Sequence, residues 1–252
     1  MKYEILGEIR VTGAGGRCAL RAKKVEDLLV ILLAKAGQLL TTDQLVNAIW
    51  GDAPPKRANA ALYVYISQLR KLLHDPASGD NPIETRPRGY TLRVEPGELD
   101  AERFVSLFKH AQELHRTRSY GPAAAAMNSA LKLWRGPAFG GVVDSPIVYS
   151  YATMLEESRL DCLELLMETE LLFGRHREII GRLSALTNEH ALRETFYQYL
   201  MTALHRSDRR AEALEIYRLA RRRLRDEIGI EPCRSLQELH QRILNDETTV
   251  AV

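Results

Sequence analysis

The sequence predicts a mainly α-helical protein with a small antiparallel β component, built in two parts. Three observations carry that prediction. Short β-patterned runs alternate with amphipathic helical stretches up to about residue 96. From Asp100 onward the apolar residues recur at helical spacing almost without a break. Within that second stretch the pattern repeats itself every 34 residues. Glu95-Pro96-Gly97 reads as the joint, which gives domains of residues 1–96 and 97–252.

The elements of the first part follow in order. Tyr3, Ile5, Ile9 and Val11 give an alternating strand pattern, and Thr12 to Gly16 (TGAGG) reads as a hairpin turn leading into Cys18-Ala19-Leu20. The glycines there tempt comparison with a phosphate loop, but neither GxxxxGK[ST] nor GxGxxG follows. A helix spans about Lys24 to Ala36 and stops near Gly37. Thr41-x-x-Gln44 is a capping-box signature for a second helix, Asp43 to Trp50, ended by Gly51 and by the extended Pro54-Pro55 link. The third helix lies in KRANAALYVYISQLRKLL, Lys56 to Leu73, where Ala58, Leu62, Ile66, Leu69 and Leu73 form one apolar face. After the loop HDPASGDNP, the run IETRPRGYTLRV reads as two short strands around a tip at Arg86-Pro87-Arg88-Gly89. Sheet, three helices and a basic hairpin make a winged helix-turn-helix.

In the second part, Leu163, Leu166, Met167 and Glu170 precede Tyr197, Leu200, Met201 and Leu204 by 34 residues. Ile179, Leu183 and Leu186 stand in the same relation to Ala213, Tyr217 and Ala220, and the joints Gly174–Glu178 and Asp208–Glu212 share the offset. That period is the one of tetratricopeptide repeats, whose stacked helix pairs bury faces no single pair can bury. The pair Phe104–Leu114 and Ala123–Trp134 reads as a less regular member. The second part is therefore expected to be an all-α tetratricopeptide-like helical repeat domain.

Composition narrows the function classes. With 45% hydrophobic and 27% charged residues the chain resembles a soluble globular protein. The longest apolar run, Leu28 to Ala34, is far too short for a membrane span, and the N-terminus lacks signal-peptide anatomy. Cys18, Cys162 and Cys233 are odd in number and widely scattered, which favours neither a disulfide framework nor a zinc site. A cytoplasmic, nucleoid-associated protein without membrane contact is expected. The histidines show no metal-ligand spacing and GxSxG is missing, so neither an enzyme nor a metal or cofactor is expected.

Charge is divided unevenly. Residues 1–96 hold 14 Lys and Arg against 10 Asp and Glu, while the remainder holds 21 against 23. The stretch Lys56 to Leu73 has no acid, although an ordinary solvated helix face mixes both signs. A cationic first part suits a polyanion such as double-stranded DNA. Arg57, Arg70 and Lys71 are candidates for phosphate contact, with Asn59 on the same backbone-facing side. Arg70 has a second role open to it, bracing the fold by pairing with an acid. Thr42 starts a helix, where free N–H groups and a hydroxyl can hold a phosphate.

The ordered motifs of the whole chain resemble the SARP regulators, the Streptomyces antibiotic regulatory proteins. In the first part these are Ala48-Ile49-Trp50-Gly51, Tyr65 to Leu73 (YISQLRKLL) and Arg88-Gly89-Tyr90. In the second they are Leu133 to Pro137 (LWRGP), Leu155 to Arg159 (LEESR), Gly174-Arg175-His176 and Gly229 to Pro232 (GIEP). The resemblance implies an OmpR-type winged helix joined to a bacterial transcriptional activation domain, in a small stand-alone member without a following ATPase region. It implies an activator of secondary-metabolite genes that binds direct repeats near promoter −35 regions, a second copy of itself beside it. It also implies recruitment of RNA polymerase holoenzyme with its sigma factor.

By the same resemblance the base-reading face is Tyr63, Val64, Ser67 and Gln68, with Arg86 in the minor groove and Arg88 on phosphate. Gln68 suits adenine and Val64 a thymine methyl, while Tyr63 has the sugar-phosphate backbone or the domain edge as alternatives. Trp50 matches a position near the DNA backbone, although a tryptophan ending an apolar helix is commonly core. The run Arg218, Arg221, Arg222, Arg223 and Arg225 reads as a solvated face or a partner for acids such as Glu156, Glu157 and Asp161. A repressor with the same DNA-binding part, and a tetratricopeptide adaptor that has lost DNA binding, are the competing readings.

Overall fold

The structure is a computed structural model that describes residues 1–13, 15–20, 22–74, 81–141 and 145–245. Most of the HDPASGDNP loop and Ala14 of the first turn lie outside the described residues.

The N-terminal elements form two small antiparallel sheets around three helices. Strands β1 (Lys2–Glu4), β2 (Arg10–Gly13) and β3 (Gly16–Cys18) pair in that order, with Tyr3 opposite Val11 and Gly13 opposite Gly16. The alternating run is thus two strands, because the N–H groups of Ile5 and Leu6 leave the ladder and donate to the Asp100 carboxylate at 2.8 and 3.1 Å. Helix α1 (Lys23–Ala34) buries Leu28 to Leu33 as the centre of the core. Helix α2 (Thr42–Trp50) carries the capping box, Thr41 accepting from the Gln44 N–H and the Gln44 side chain accepting from the Thr41 N–H. Helix α3 (Ala58–Leu72) buries Ala58, Leu62, Ile66 and Leu69, the face set by the spacing. The two leucines and the isoleucine each contribute about 1.5–3 kcal/mol on leaving water.

The wing is β5 (Ile83–Arg86) and β6 (Gly89–Leu92), joined by β4 (Leu40–Thr41) in the order β4-β6-β5. Strand β4 has too few residues to register as a period and was not legible in the sequence. It explains Gly89. A Cβ there would stand 1.9 Å from the Leu40 carbonyl oxygen, so β4 approaches as closely as it does only because residue 89 has no side chain.

Helix α4 (Asp100–Arg116), helix α5 (Tyr120–Leu131), a 3-10 turn (Ala138–Gly141) and α6 (Pro146–Leu172) follow. The remaining helices are α7 (His176–Glu189), α8 (Glu194–His205), α9 (Arg210–Ile228) and α10 (Arg234–Leu244). Packing divides the chain elsewhere than at the Pro96 joint. One compact unit holds residues 1–109 and 129–159, the other 110–128 and 160 onward. The reason lies in the motif residues. Arg135 and Phe139 donate their N–H groups to Leu6 and Ile5 at 2.7 Å, and the Arg135 guanidinium reaches the Glu8 carbonyl at 3.0 Å. Arg159 stacks over Trp134 at 4.8 Å and Glu156 accepts from the Ala138 N–H at 2.7 Å. Asp100 is 4% exposed, and its burial raises its carboxyl pKa against the opposing pull of the Ile5 and Leu6 N–H groups and Arg135.

The second unit carries the repeats. Helices α4, α6 and α8 end alike, with Arg118, Gly174 and Asp208 in the left-handed region at φ of 59°, 78° and 63°. After each, the N–H of Ser119, Arg175 and Arg209 returns to Leu114, Glu170 and Leu204 at 2.8, 3.1 and 3.0 Å. The same helix stop is therefore used three times, and its last two instances are 34 residues apart.

Candidate nucleic-acid interface

Helix α3 shows its second face to solvent. Tyr63 is 58% and Val64 52% exposed, and Ser67, Gln68 and Lys71 are exposed beside them. Spacings of one, four, five and eight residues put these side chains on one side of the helix. Large apolar groups gain nothing from such exposure in an isolated domain, so a surface carrying both is suited to contact. Lys56, Arg57 and Asn59 are exposed at its N-terminal end.

The wing is fixed to this helix by Arg70. Its guanidinium donates to the Ile83 carbonyl at 3.0 and 3.2 Å and to the Thr85 hydroxyl at 2.7 Å, and it lies 5.8 Å from the Tyr90 ring centre. Arg70 thus has the second role open to it, bracing the fold, through a carbonyl and a hydroxyl and not through an acid. Bidentate geometry of this kind suits a planar guanidinium. The wing tip is tied to α2 as well, since the Thr42 N–H donates to the Arg88 carbonyl at 3.2 Å. With that N–H engaged, Thr42 has its hydroxyl left for a phosphate.

Arg86, Pro87 and Arg88 are exposed at the tip. Arg86 is held there by Glu84, whose other oxygen lies 3.8 Å from Arg93. Residues two apart on a strand share a face, and that alternation is the signal by which Glu84 could have been singled out. Trp50 is half-buried and stacks on Tyr65 with ring centres 6.0 Å apart, so its indole fastens α2 to α3. The structure therefore brings together Tyr63, Val64, Ser67, Gln68 and Lys71 on one face, Lys56, Arg57 and Asn59 at its start, and Arg86 and Arg88 on the wing.

Residues 99–244 match the model of the bacterial transcriptional activator domain, and residues 16–92 match that of the transcriptional regulatory protein C-terminal domain. The chain is 34% identical to the regulatory protein DnrI of Streptomyces peucetius over 97% of its own length and 92% of DnrI. It is 32% identical to the transcriptional regulator RedD of Streptomyces coelicolor, covering 73% of that protein. This chain belongs to the SARP family of transcriptional activators. Its residues also match the regulatory protein AfsR of Streptomyces coelicolor at 36% identity, spanning a quarter (25%) of that longer protein. The solved structure of Mycobacterium tuberculosis EmbR in complex with a low-affinity phosphopeptide superposes with a TM-score of 0.90 at 31% identity, over 97% of this chain and 65% of EmbR. Mainly α architecture, an N-terminal winged helix-turn-helix and a helical second part are thus those of a SARP. No helix among the described residues is long and apolar enough to cross a membrane.

The arginine run of this SARP is largely the solvated face expected of it, Arg218, Arg221, Arg222 and Arg225 being exposed. Arg221 and Arg225 face Glu231 at 2.6 and 3.7 Å, and Arg218 lies 3.7 Å from Glu215. Arg223 donates to the Thr187 carbonyl at 2.7 Å and the Tyr197 hydroxyl at 2.9 Å, covering the end of α7. Asp161 is taken by Arg193 at 3.0 Å and Glu156 by the Ala138 N–H.

Proposed function

We propose that this SARP binds promoter direct repeats near the −35 region through α3 in the major groove and the wing in the minor groove. The observation that carries the reading is the acid-free, exposed face of Tyr63, Val64, Ser67, Gln68 and Lys71 beside a basic wing tip. Gln68 pairs with adenine and Val64 packs on a thymine methyl, while Lys56, Arg57, Asn59, Lys71 and Arg88 hold phosphates. Arg86 enters the narrow minor groove, where negative potential is concentrated. Two copies on adjacent repeats present their helical second parts to RNA polymerase holoenzyme and its sigma factor, which raises initiation.

Gel-shift titrations of Gln68→Ala and Arg57→Ala across a salt series test the DNA half. Loss of the base contact costs about 1–3 kcal/mol at one base position and relaxes specificity there. Loss of the phosphate contact weakens all sequences alike and lowers the log–log salt slope by about one from a starting value of about −4 to −5. Uniform weakening by both variants would remove Gln68 from the reading face. Transcription in vitro from a promoter with two sites, with and without a half-turn insertion between them, tests the polymerase half. Activation that ignores the insertion would reject the same-face arrangement of two copies.

A further inference from the structure

We propose that a cavity of about 660 Å3 in the first unit binds a small molecule carrying a basic amine on an apolar body. Sites for small ligands commonly enclose about 300–1,000 Å3 and combine an apolar lining with a few polar groups. This one fits. Ile9, Val30, Ile31, Ile49, Phe139 and Val148 supply apolar wall. Ser145 also lines it, is 5% exposed, and has no hydrogen-bond partner for its Oγ among the described residues. A buried hydroxyl left unpaired is costly, and a ligand that bonds it recovers that cost.

The sign of the ligand follows from the charges around the cavity. Asp27 is neutralised by Lys23 at 3.0 Å and Lys24 at 3.4 Å. Glu8 and Glu26 line the cavity without an ion pair among the described residues, against the single guanidinium of Arg17. Charge around the wall balances once both lysines are counted, so the preference lies in which groups are unengaged: an amine can pair with Glu8 or Glu26, whereas a carboxylate has only Arg17, both lysines being held by Asp27. None of the described lining residues belongs to α3 or the wing. Ala48 and Ile49 come from the last turn of α2, where Lys24 grips the Ile49 carbonyl at 2.8 Å and the next residue, Trp50, stacks on Tyr65 of α3. An occupant stiffens that turn and, through Trp50, biases α3. This last step rests on the DNA-binding reading, whereas the site itself does not.

Two dyes with one dansyl ring serve as probes of the full chain without DNA. Dansylcadaverine carries an amine and dansylglycine a carboxylate. Dansylcadaverine is expected to bind saturably with a blue shift, and dansylglycine about fivefold or more weakly. Glu8→Gln with Glu26→Gln abolishes that preference, and Ala19→Trp, at an exposed lining position, blocks both dyes. Equal affinity for the two dyes, or unchanged binding to the Ala19→Trp protein, overturns the proposal. A gel shift at saturating dansylcadaverine then reads the coupling. A changed affinity for DNA supports it, and an unchanged one overturns the coupling while the dye titration stands apart. Absence of any DNA shift without dye would instead overturn the DNA-binding reading.

Discussion

At the scale of single residues, the wing arginine is restrained by an acid on its own strand. Glu84 sits two residues before Arg86 and pairs with it. To enter a minor groove Arg86 must give up that pair, which offsets part of the gain. Glu84→Gln keeps the shape and removes the competing charge. The variant is expected to bind DNA several-fold more tightly at low salt, about 1 kcal/mol or less given the exposure of the pair. Gel shifts at two ionic strengths check it, and weaker binding by the variant would show Glu84 orienting Arg86 instead. Gly89 gives a second residue-scale expectation. Gly89→Ala drives a Cβ into the Leu40 carbonyl, so β4 and the wing separate. A loss of DNA affinity with α1 and α3 still folded, followed by amide exchange, is the expected pattern. Normal exchange protection at Leu40 and Tyr90 in the variant would contradict the close approach.

At the scale of elements, the helix joints are the part of the repeat that chemistry constrains most. Gly174 occupies a left-handed position at no steric cost, whereas Asp208 occupies the equivalent one with a side chain. Gly174→Ala is expected to destabilise by about 1 kcal/mol. Asp208→Gly is expected to change stability by less than about 0.5 kcal/mol, because relief of strain is offset by the freer unfolded chain. Urea denaturation measures both. Equal losses for the two substitutions would mean that the joints are not conformationally equivalent. The spacing alone located these joints, but not their geometry. The N–H return to a residue five positions back, made once at each of the three joints, is a property of the folded backbone.

At the scale of the whole molecule, stability should respond to mild acid. His176 and His240 both have imidazole pKa values held below the ordinary 6.5, first by burial and then by the charge of Arg206 and Arg218 respectively. Each is therefore harder to protonate folded than unfolded. Stability is full above the unfolded value of about 6.5 and is lost as pH falls from there toward the depressed folded values. Thermal unfolding between pH 7.5 and 5.5 is expected to show a falling Tm, and His176→Gln with His240→Gln to flatten it. An identical fall in the double variant would assign the effect to other groups.

Much of this SARP could be read without its fold. The apolar spacing in Lys56–Leu73 specified both the buried face of α3 and, by elimination, its exposed one, because a helix of fixed pitch leaves no other choice. The capping box at Thr41 and the 34-residue offset were equally legible, being local or periodic. What the tertiary structure alone decided involves groups far apart in the chain. Arg70 became a brace because Ile83 and Thr85 arrive 13 and 15 residues later with a carbonyl and a hydroxyl to accept its protons. Asp100 joined the first unit because Ile5 and Leu6 need acceptors that their own strands do not provide. The cavity beside Ser145 is assembled from segments more than a hundred residues apart, Ile9 and Val148 among them. Local pattern fixes which face a helix offers, but which polar group satisfies which is settled only when the chain closes, since hydrogen-bond partners are chosen by distance in space.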